Sequence, residues 1–329
     1  MPVFLGMLLV TGLFNSCTSL YGGISAEEYY SLGMAYFELG KFEDAEKWLY
    51  RARTVDKTRV ASNYNLGRIA FETGRYKEAA DLFENILTKD PNNVMALKAA
   101  AYSYIKLGDF PKAESLYGRI LSLVPESADD GYNYALMLYA TEQYQRAEGV
   151  LSGYQYALEE NKDVLLLYAR AQRAQNKVEA VDSYALWLTN NKDPKVQYEY
   201  AVVLEQAELY ARALEQYREI LNTLPQDSND PKKSDVRYTT AKLLLFADPE
   251  NDEGIIELNK AVDEGFEDTE ALEQLMQDER IAESRRQDLQ GVIDTINTRR
   301  EEKLKAEEAG DAAEGVPSDE EAASIEPVL

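Results

Sequence analysis

The sequence predicts an all-α solenoid of antiparallel helix pairs, and three observations support this fold class. Small residues recur with a period of about 34, the turn glycines share that period, and prolines fall at matching ends of the repeating segments. Each segment has room for two amphipathic helices of about a dozen residues joined by a tight turn. Because one such pair cannot bury its apolar face alone, neighbouring pairs must stack.

Two rows of small residues mark the points at which the predicted helices cross. The first row consists of Gly33, Gly67, Ala101, Ala135, Ala169, Ala201 and Ala241. The second row consists of Ala45, Ala79, Ala113, Ala147, Ala180 and Ala213. Small side chains let two helix backbones approach closely, so we expect the helices of each pair to cross at these residues.

Turn and end signals follow the same spacing. Three glycines lie just past the predicted first helices, where a left-handed C-cap favours glycine: Gly40, Gly74 and Gly108. The later repeats carry Glu142, Asn176 and Glu208 at this position. Prolines stand at matching ends of three repeats: Pro91, Pro125 and Pro225. Since proline cannot continue a helix, these positions close the second helices.

This pattern resembles the tetratricopeptide repeat (TPR) family. The clearest repeat, 60–93, contains Leu66, Gly67, Phe71, Gly74, Tyr76, Ala79, Phe83 and Pro91. The family's tryptophan near the start of each repeat is missing, and Tyr29 replaces it once. The resemblance implies a right-handed superhelical solenoid of about six to seven repeats. Six of them occupy 26–225.

The segments after residue 225 depart from the repeat pattern. Residues 226–308 are expected to form a divergent seventh repeat and capping helices, since a solenoid needs a polar terminal element over its last open face. Residues 309–329 are predicted to be a disordered acidic tail, because from Ala306 onward the chain has eight acids and no bases.

Composition excludes several function classes. The 329 residues include 35 Lys+Arg and 59 Asp+Glu, a formal charge of -24, which argues against a nucleic-acid partner. Histidine is absent and cysteine occurs once, which excludes Ser-His-Asp catalysis, His-ligated zinc and internal disulfides. Two acidic clusters, Asp129-Asp130 and 227–230, lack the spacing of a calcium loop. We therefore predict no enzyme, cofactor or metal site.

The N-terminal residues are typical of an export signal. Residues 1–16 contain an apolar run too short to span a bilayer as a helix and suited to a signal peptide. Cys17 follows this run, an arrangement that resembles the lipobox of bacterial lipoproteins, with 17–25 as lipidated cysteine and linker. The resemblance implies a diacylglycerol on Cys17 and a periplasm-facing membrane protein, and Thr18 favours the inner leaflet of the outer membrane. The alternative is a buried N-terminal helix with a free cysteine.

The family resemblance also implies a binding groove along the first helix of each repeat. Carried over by register, it is lined by Tyr30, Met34, Tyr64, Arg68, Lys98, Tyr102, Tyr132, Tyr139, Arg170, Tyr198 and Tyr238. Tyrosine offers a large amphipathic surface for a partner. Alternatively, these tyrosines pack inward between the helices. The basic residues that some family members use to hold C-terminal carboxylates are incomplete here.

These features predict a bacterial TPR lipoprotein that acts as a membrane-anchored extracytoplasmic scaffold. It would bind a protein or peptide for envelope assembly, wall synthesis or secretion. The alternative is an accessory lipoprotein of a TRAP-type transporter, which pairs with a periplasmic substrate-binding protein and binds or passes a small ligand. A homo-oligomer is a further possibility.

Overall fold

The computed structural model describes residues 24–248 and 250–314. The predicted signal peptide, Cys17 and the end of the acidic tail lie outside these residues. The described part is built from α-helices and contains no named strand, which confirms the predicted all-α solenoid of helix pairs. The helices are α1 (Ala26–Glu38), α2 (Phe42–Ala52), α3 (Asp56–Glu72), α4 (Tyr76–Leu87), α5 (Val94–Leu107), α6 (Phe110–Leu123), α7 (Ala128–Ala140), α8 (Tyr144–Leu151), α9 (Gln155–Glu160), α10 (Lys162–Ala174), α11 (Ala180–Asn190), α12 (Pro194–Gln206), α13 (Tyr210–Thr223), α14 (Lys233–Ala247), α15 (Glu253–Asp263), α16 (Thr269–Gln277) and α17 (Glu283–Glu314).

The chain divides into two compact units between Leu167 and Tyr168. The N-terminal unit consists of the pairs α1/α2, α3/α4, α5/α6 and α7/α8, followed by the short α9 and the start of α10. The C-terminal unit continues with α11 to α17. Consecutive helices pack together from α1 to α8 in the N-terminal unit and from α11 to α15 in the C-terminal unit.

Side-chain caps fix where most repeats begin. The first helices of five repeats are preceded by a residue whose side-chain oxygen accepts hydrogen bonds from backbone N–H groups of the first turn: Ser25, Asn93, Ser127, Asn161 and Asp193. Such a cap satisfies donors that have no partner inside the helix. The second repeat has Arg59 in the capping position, and α3 begins earlier, at Asp56. The cap therefore sets the helix start wherever the sequence supplies one.

Helix crossing explains both rows of small residues. Every alanine of the two rows has zero exposed surface. A β-carbon added to Gly33 would lie 2.7 Å from Leu49 Cγ, and one added to Gly67 would lie 2.7 Å from the Phe83 ring. Both distances are shorter than van der Waals contact, so the crossing leaves no room for a larger side chain.

The turn between the two helices of a pair keeps one backbone geometry whether or not glycine is present. Gly40, Gly74 and Gly108 have φ values of 69°, 77° and 73°. The three residues that replace glycine later in the chain also have positive φ: Glu142 (60°), Asn176 (54°) and Glu208 (58°). A side chain costs energy in this left-handed region, least for asparagine. The packing of the pair therefore imposes the turn on unfavourable residues.

The C-terminal unit ends in an apolar cluster closed by α17. Leu289, Val292, Ile293 and Ile296 of α17 are buried in this cluster, which also includes residues of α14, α15 and α16. The helix continues to Glu314, six residues beyond the predicted boundary at 308. Alanine and glutamate are strong helix formers, so this segment continues the helix that precedes it. It can do so although it has too few apolar side chains to form a core of its own. None of the described helices combines the length and the apolar character needed to cross a membrane.

The strained turns lead to a stability prediction. Replacing Glu208 by glycine should raise the free energy of unfolding by about 1 kcal/mol, because glycine adopts positive φ without steric cost. Replacing Gly74 by alanine should lower it by a similar amount, about 1 kcal/mol. Urea denaturation followed by circular dichroism measures both changes.

Gly118 is the matched control. It lies inside α6, and a β-carbon added there would meet no atom within 4 Å. Gly118→Ala should therefore stabilise the chain, by about 0.5–1 kcal/mol. If Gly74→Ala and Gly118→Ala shifted stability in the same direction, positive φ would not be the cause.

Candidate functional site

The helices of the N-terminal unit form two layers. The inner layer contains the first helices of the pairs, where α1 contacts α3 and α3 contacts α5. The second helices, α2, α4 and α6, form the outer layer. Within the described part of the N-terminal unit, α2 and α4 make fewer contacts with each other than the first helices do, and so do α4 and α6. Because α1, α3 and α5 lie closer together than α2, α4 and α6, their exposed surfaces converge. We call this surface, on α1, α3, α5 and α7, the inner face.

Large apolar side chains are exposed on the inner face. Met95 and Tyr102 on α5 are 62% and 50% exposed, and Leu136 on α7 is 44% exposed. Exposed apolar side chains are common singly, whereas a group on one surface indicates a contact site. The inner face therefore offers apolar area on two of its four helices.

Cations lie against aromatic rings on the same face. The Arg68 guanidinium lies 4.5 Å from the Phe37 ring centre and donates a 3.2 Å hydrogen bond to Asn65 Oδ1. Tyr102 lies 5.2 Å from the Phe71 ring and 5.7 Å from Lys106 Nζ. In the part of the chain that the structure describes, no carboxylate lies within ion-pair distance of Arg68 or Lys106. These cations keep charge available for a partner.

Three predicted tyrosines, Tyr30, Tyr64 and Tyr132, have a different role, because they pack into the helix pairs. Tyr64 is partly buried, with its ring 5.5 Å from that of Phe83 on α4. The Tyr30 hydroxyl accepts a 3.1 Å hydrogen bond from Asn65 Nδ2 on the next inner helix. Tyr132 is also partly buried. These tyrosines form the floor of the inner face and present only part of their surface.

Lys98 is committed to an internal ion pair. Its Nζ lies 2.7 Å from Asp130 Oδ2, and the Asp130 side chain is only 3% exposed. Ser127 donates a 2.6 Å hydrogen bond to the same carboxylate. Burial, with a smaller contribution from the Asp130 charge, raises the pKa of Tyr117 to about 12. Lys98 therefore neutralises a buried charge between α5 and α7.

Two other predicted residues of the N-terminal unit, Met34 and Tyr139, are only partly exposed. Met34 on α1 is partly buried. Tyr139 on α7 is also partly buried and contacts Tyr144 edge to face, with ring centres 5.2 Å apart. Neither side chain is fully available to a partner. Of the eight predicted residues in this unit, Arg68, Lys98 and Tyr102 are exposed, and of these Lys98 is paired with Asp130.

In the C-terminal unit, Arg170 belongs to a buried charge cluster. It donates two hydrogen bonds to Glu199, at 2.9 and 2.7 Å, and so links α10 to α12. Glu199 is 9% exposed and accepts a further 2.8 Å hydrogen bond from the Tyr184 hydroxyl. Burial, followed by the Glu199 charge, raises the pKa of Tyr184 above its usual range. A buried carboxylate needs such partners. The contact of Arg170 with Glu199 therefore stabilises the fold.

Tyr198 and Tyr238 also make packing contacts. The Tyr198 ring meets that of Tyr217 edge to face, with centres 5.5 Å apart. Tyr238 stacks on Phe266 at 4.4 Å and donates a 3.1 Å hydrogen bond to the Ala271 carbonyl. Burial raises the pKa of Tyr238 to about 12. The alternative interpretation, inward packing, therefore describes the surroundings of these two tyrosines.

Residues beyond the eleven named for the groove also contribute to the inner face. Met95, Lys106 and Leu136 are exposed on the inner face, and Phe37 and Phe71 support its cations. On α5 the exposed side chains Met95, Lys98, Tyr102 and Lys106 follow at steps of three or four, the spacing of one helix face. This spacing is visible in the sequence and identifies Met95 and Lys106 as residues on the same helix face as Tyr102. In the described residues, no group of three or more acidic or cysteine side chains is arranged to hold a metal ion.

Similar proteins agree with this architecture. Two family models described as tetratricopeptide repeat match the chain, over residues 30–94 and 70–137. A tetratricopeptide repeat protein from Parabacteroides merdae matches with a TM-score of 0.52 and 21% identity, covering 77% of this chain and 98% of that one. YrrB, a TPR protein with an unusual peptide-binding site, matches with a TM-score of 0.50 and 16% identity, covering 59% and 98%. At these identities the two structures show the fold. No curated protein matches the chain significantly.

The two kinds of cation on the inner helices lead to predicted stability losses of different size. Lys98→Ala leaves a buried Asp130 carboxylate without its cation and should lower the free energy of unfolding by about 2 kcal/mol. Arg68→Ala should cost only about 0.5 kcal/mol, because it removes a partly solvated contact with a ring. Urea denaturation compares the two variants.

The double variant Lys98→Ala/Asp130→Ala tests the cause. Removing both charges should recover part of the stability lost in Lys98→Ala. Equal losses for Lys98→Ala and Arg68→Ala would contradict the assignment of Lys98 to a structural ion pair.

Proposed function

We propose that the chain is a scaffold that holds a protein or peptide partner, since residues 30–94 and 70–137 match family models described as tetratricopeptide repeat. TPR proteins generally mediate protein–protein interaction. The proposed contact surface is the inner face of the N-terminal unit. The role is one of binding, without catalysis by this chain.

One observation carries this proposal. The inner face exposes Met95, Tyr102 and Leu136 beside two cations, Arg68 and Lys106, that lie on aromatic rings. Aromatic, methionine and arginine side chains are enriched where proteins bind one another. Their supporting contacts hold them in place before binding, which reduces the entropy lost on association.

The location is also part of the proposal. We place the chain on a bacterial membrane, facing the periplasm, through a diacylglycerol on Cys17. Two acyl chains are sufficient for stable anchoring, whereas one is not. A scaffold held there would collect its partner for envelope assembly, wall synthesis or secretion. The transporter accessory remains the alternative, with a small ligand in place of a protein.

Partner capture tests the contact surface. Cross-linked pull-downs from native envelopes should recover a protein with the wild-type chain, and at least tenfold less of it with Tyr102→Ala/Leu136→Ala. Tyr156→Ala is the matched control, since Tyr156 is 78% exposed and lies on α9, which is not one of the four inner helices. Equal capture by all three chains would contradict a site on the inner face. Absence of any captured protein would favour the small-ligand alternative.

A separate experiment tests the anchor. Cys17→Ser should abolish incorporation of an alkyne-labelled fatty acid and move the protein from the membrane fraction to the soluble periplasmic fraction. Ser16→Ala, which alters the neighbouring residue but keeps the thiol, should change neither result. Fatty-acid labelling that persists in Cys17→Ser would rule out this cysteine as the lipid attachment point.

A further inference from the structure

A second surface of the N-terminal unit lies in the outer layer, between α2 and α4. Arg75, the residue just before α4, bridges the two helices there by pairing with Glu46 on α2 and Glu78 on α4. The Tyr50 hydroxyl also donates a 3.3 Å hydrogen bond to Glu78. Between the helices is a cavity of about 1020 Å³, with the first turns of α3 as its floor. We call this cavity the outer groove.

Cations outnumber carboxylates in the outer groove. Its lining includes Arg53, Arg59, Arg75 and Lys77, against only Glu78 and Asp81. The whole chain has the opposite balance, with 35 basic and 59 acidic residues. Charges beyond about 8 Å are largely screened at physiological ionic strength, so the local cations outweigh the distant net charge.

Arg53 is the cation best placed to meet a ligand. Its guanidinium lies 4.5 Å from the Tyr50 ring centre. Arg59, Arg75 and Lys77 each have a carboxylate partner. Within residues 24–248 and 250–314, Arg53 has no carboxylate at ion-pair distance. An arginine held against a ring loses less conformational freedom on binding, and its planar N–H groups suit a carboxylate.

Amide and apolar groups complete the outer groove. Asn63 is buried in the floor, and its Nδ2 donates a 3.2 Å hydrogen bond to Asn85 Oδ1. Leu82 and Leu107 add apolar area. Side-chain amides can donate to and accept from a peptide backbone, and a cavity of this size is too large for a single small anion.

We propose that the outer groove is a second binding site, which takes an extended peptide segment rich in Asp and Glu. One carboxylate of the segment pairs with Arg53, its backbone meets the Asn63–Asn85 amides, and apolar atoms cover Leu82. This site is separate from the inner face and does not depend on the function proposed for that face.

A binding measurement with the full chain tests the proposal. The probe is a short fluorescein-labelled peptide of alternating Glu and Ser, followed by fluorescence polarisation at low ionic strength. Arg53→Gln should weaken binding roughly five- to tenfold, the effect of losing one charged hydrogen-bond partner. Arg53→Lys should lose less, because it keeps the charge, and added salt should weaken binding to the wild type.

Matched controls separate this site from general charge attraction and from the inner face. Arg51→Gln removes one charge from the same helix outside the groove, and Arg68→Gln removes one from the inner face; both should bind within about twofold of wild type. A peptide of alternating Gln and Ser should not bind. Circular dichroism checks that each variant is folded. Four results would overturn the proposal: no binding of the Glu peptide, equal loss in all three glutamine variants, loss only in Arg68→Gln, or equal binding of the Gln peptide.

Discussion

The close crossing of the two helices in each pair is the contact on which the rest of the structure depends. At Gly33 and Gly67 the partner side chains Leu49 and Phe83 occupy the space of a β-carbon. The alanines at the equivalent points in later repeats are completely buried. Because the crossing recurs with nearly the same spacing along the chain, it also fixes the turn after each first helix. Glutamate accepts a left-handed backbone at 142 and 208 for this reason.

This crossing gives the N-terminal unit two surfaces with different chemistry. The first helices lie close enough to contact one another, so the inner face brings apolar side chains, rings and cations together. The second helices are farther apart, and ion pairs such as Arg75–Glu46 span the space between α2 and α4. Polar residues line the wider space because water reaches it. One packing rule thus produces a compact aromatic surface and a polar groove.

Burial decides which charged residues can act outside the fold. Lys98 and Arg170 belong to the same family register as Arg68, yet each faces a carboxylate that the fold buries, Asp130 and Glu199. A buried carboxylate needs a cation and hydrogen bonds, and leaving it without its cation costs about 2 kcal/mol. Arg68 faces a ring and an amide, so it keeps its charge for a partner.

The sequence by itself determined the fold class, the position of the crossings and the turns, because these depend on residue size and backbone preference at fixed spacing. It also placed Arg68 and Tyr102 on the correct helices. Only the tertiary structure decided that Tyr64, Tyr198 and Tyr238 pack against Phe83, Tyr217 and Phe266. Each of those partners is about twenty or more residues away in the chain. A side chain's exposure depends on the neighbours that folding brings to it, and local spacing does not specify them.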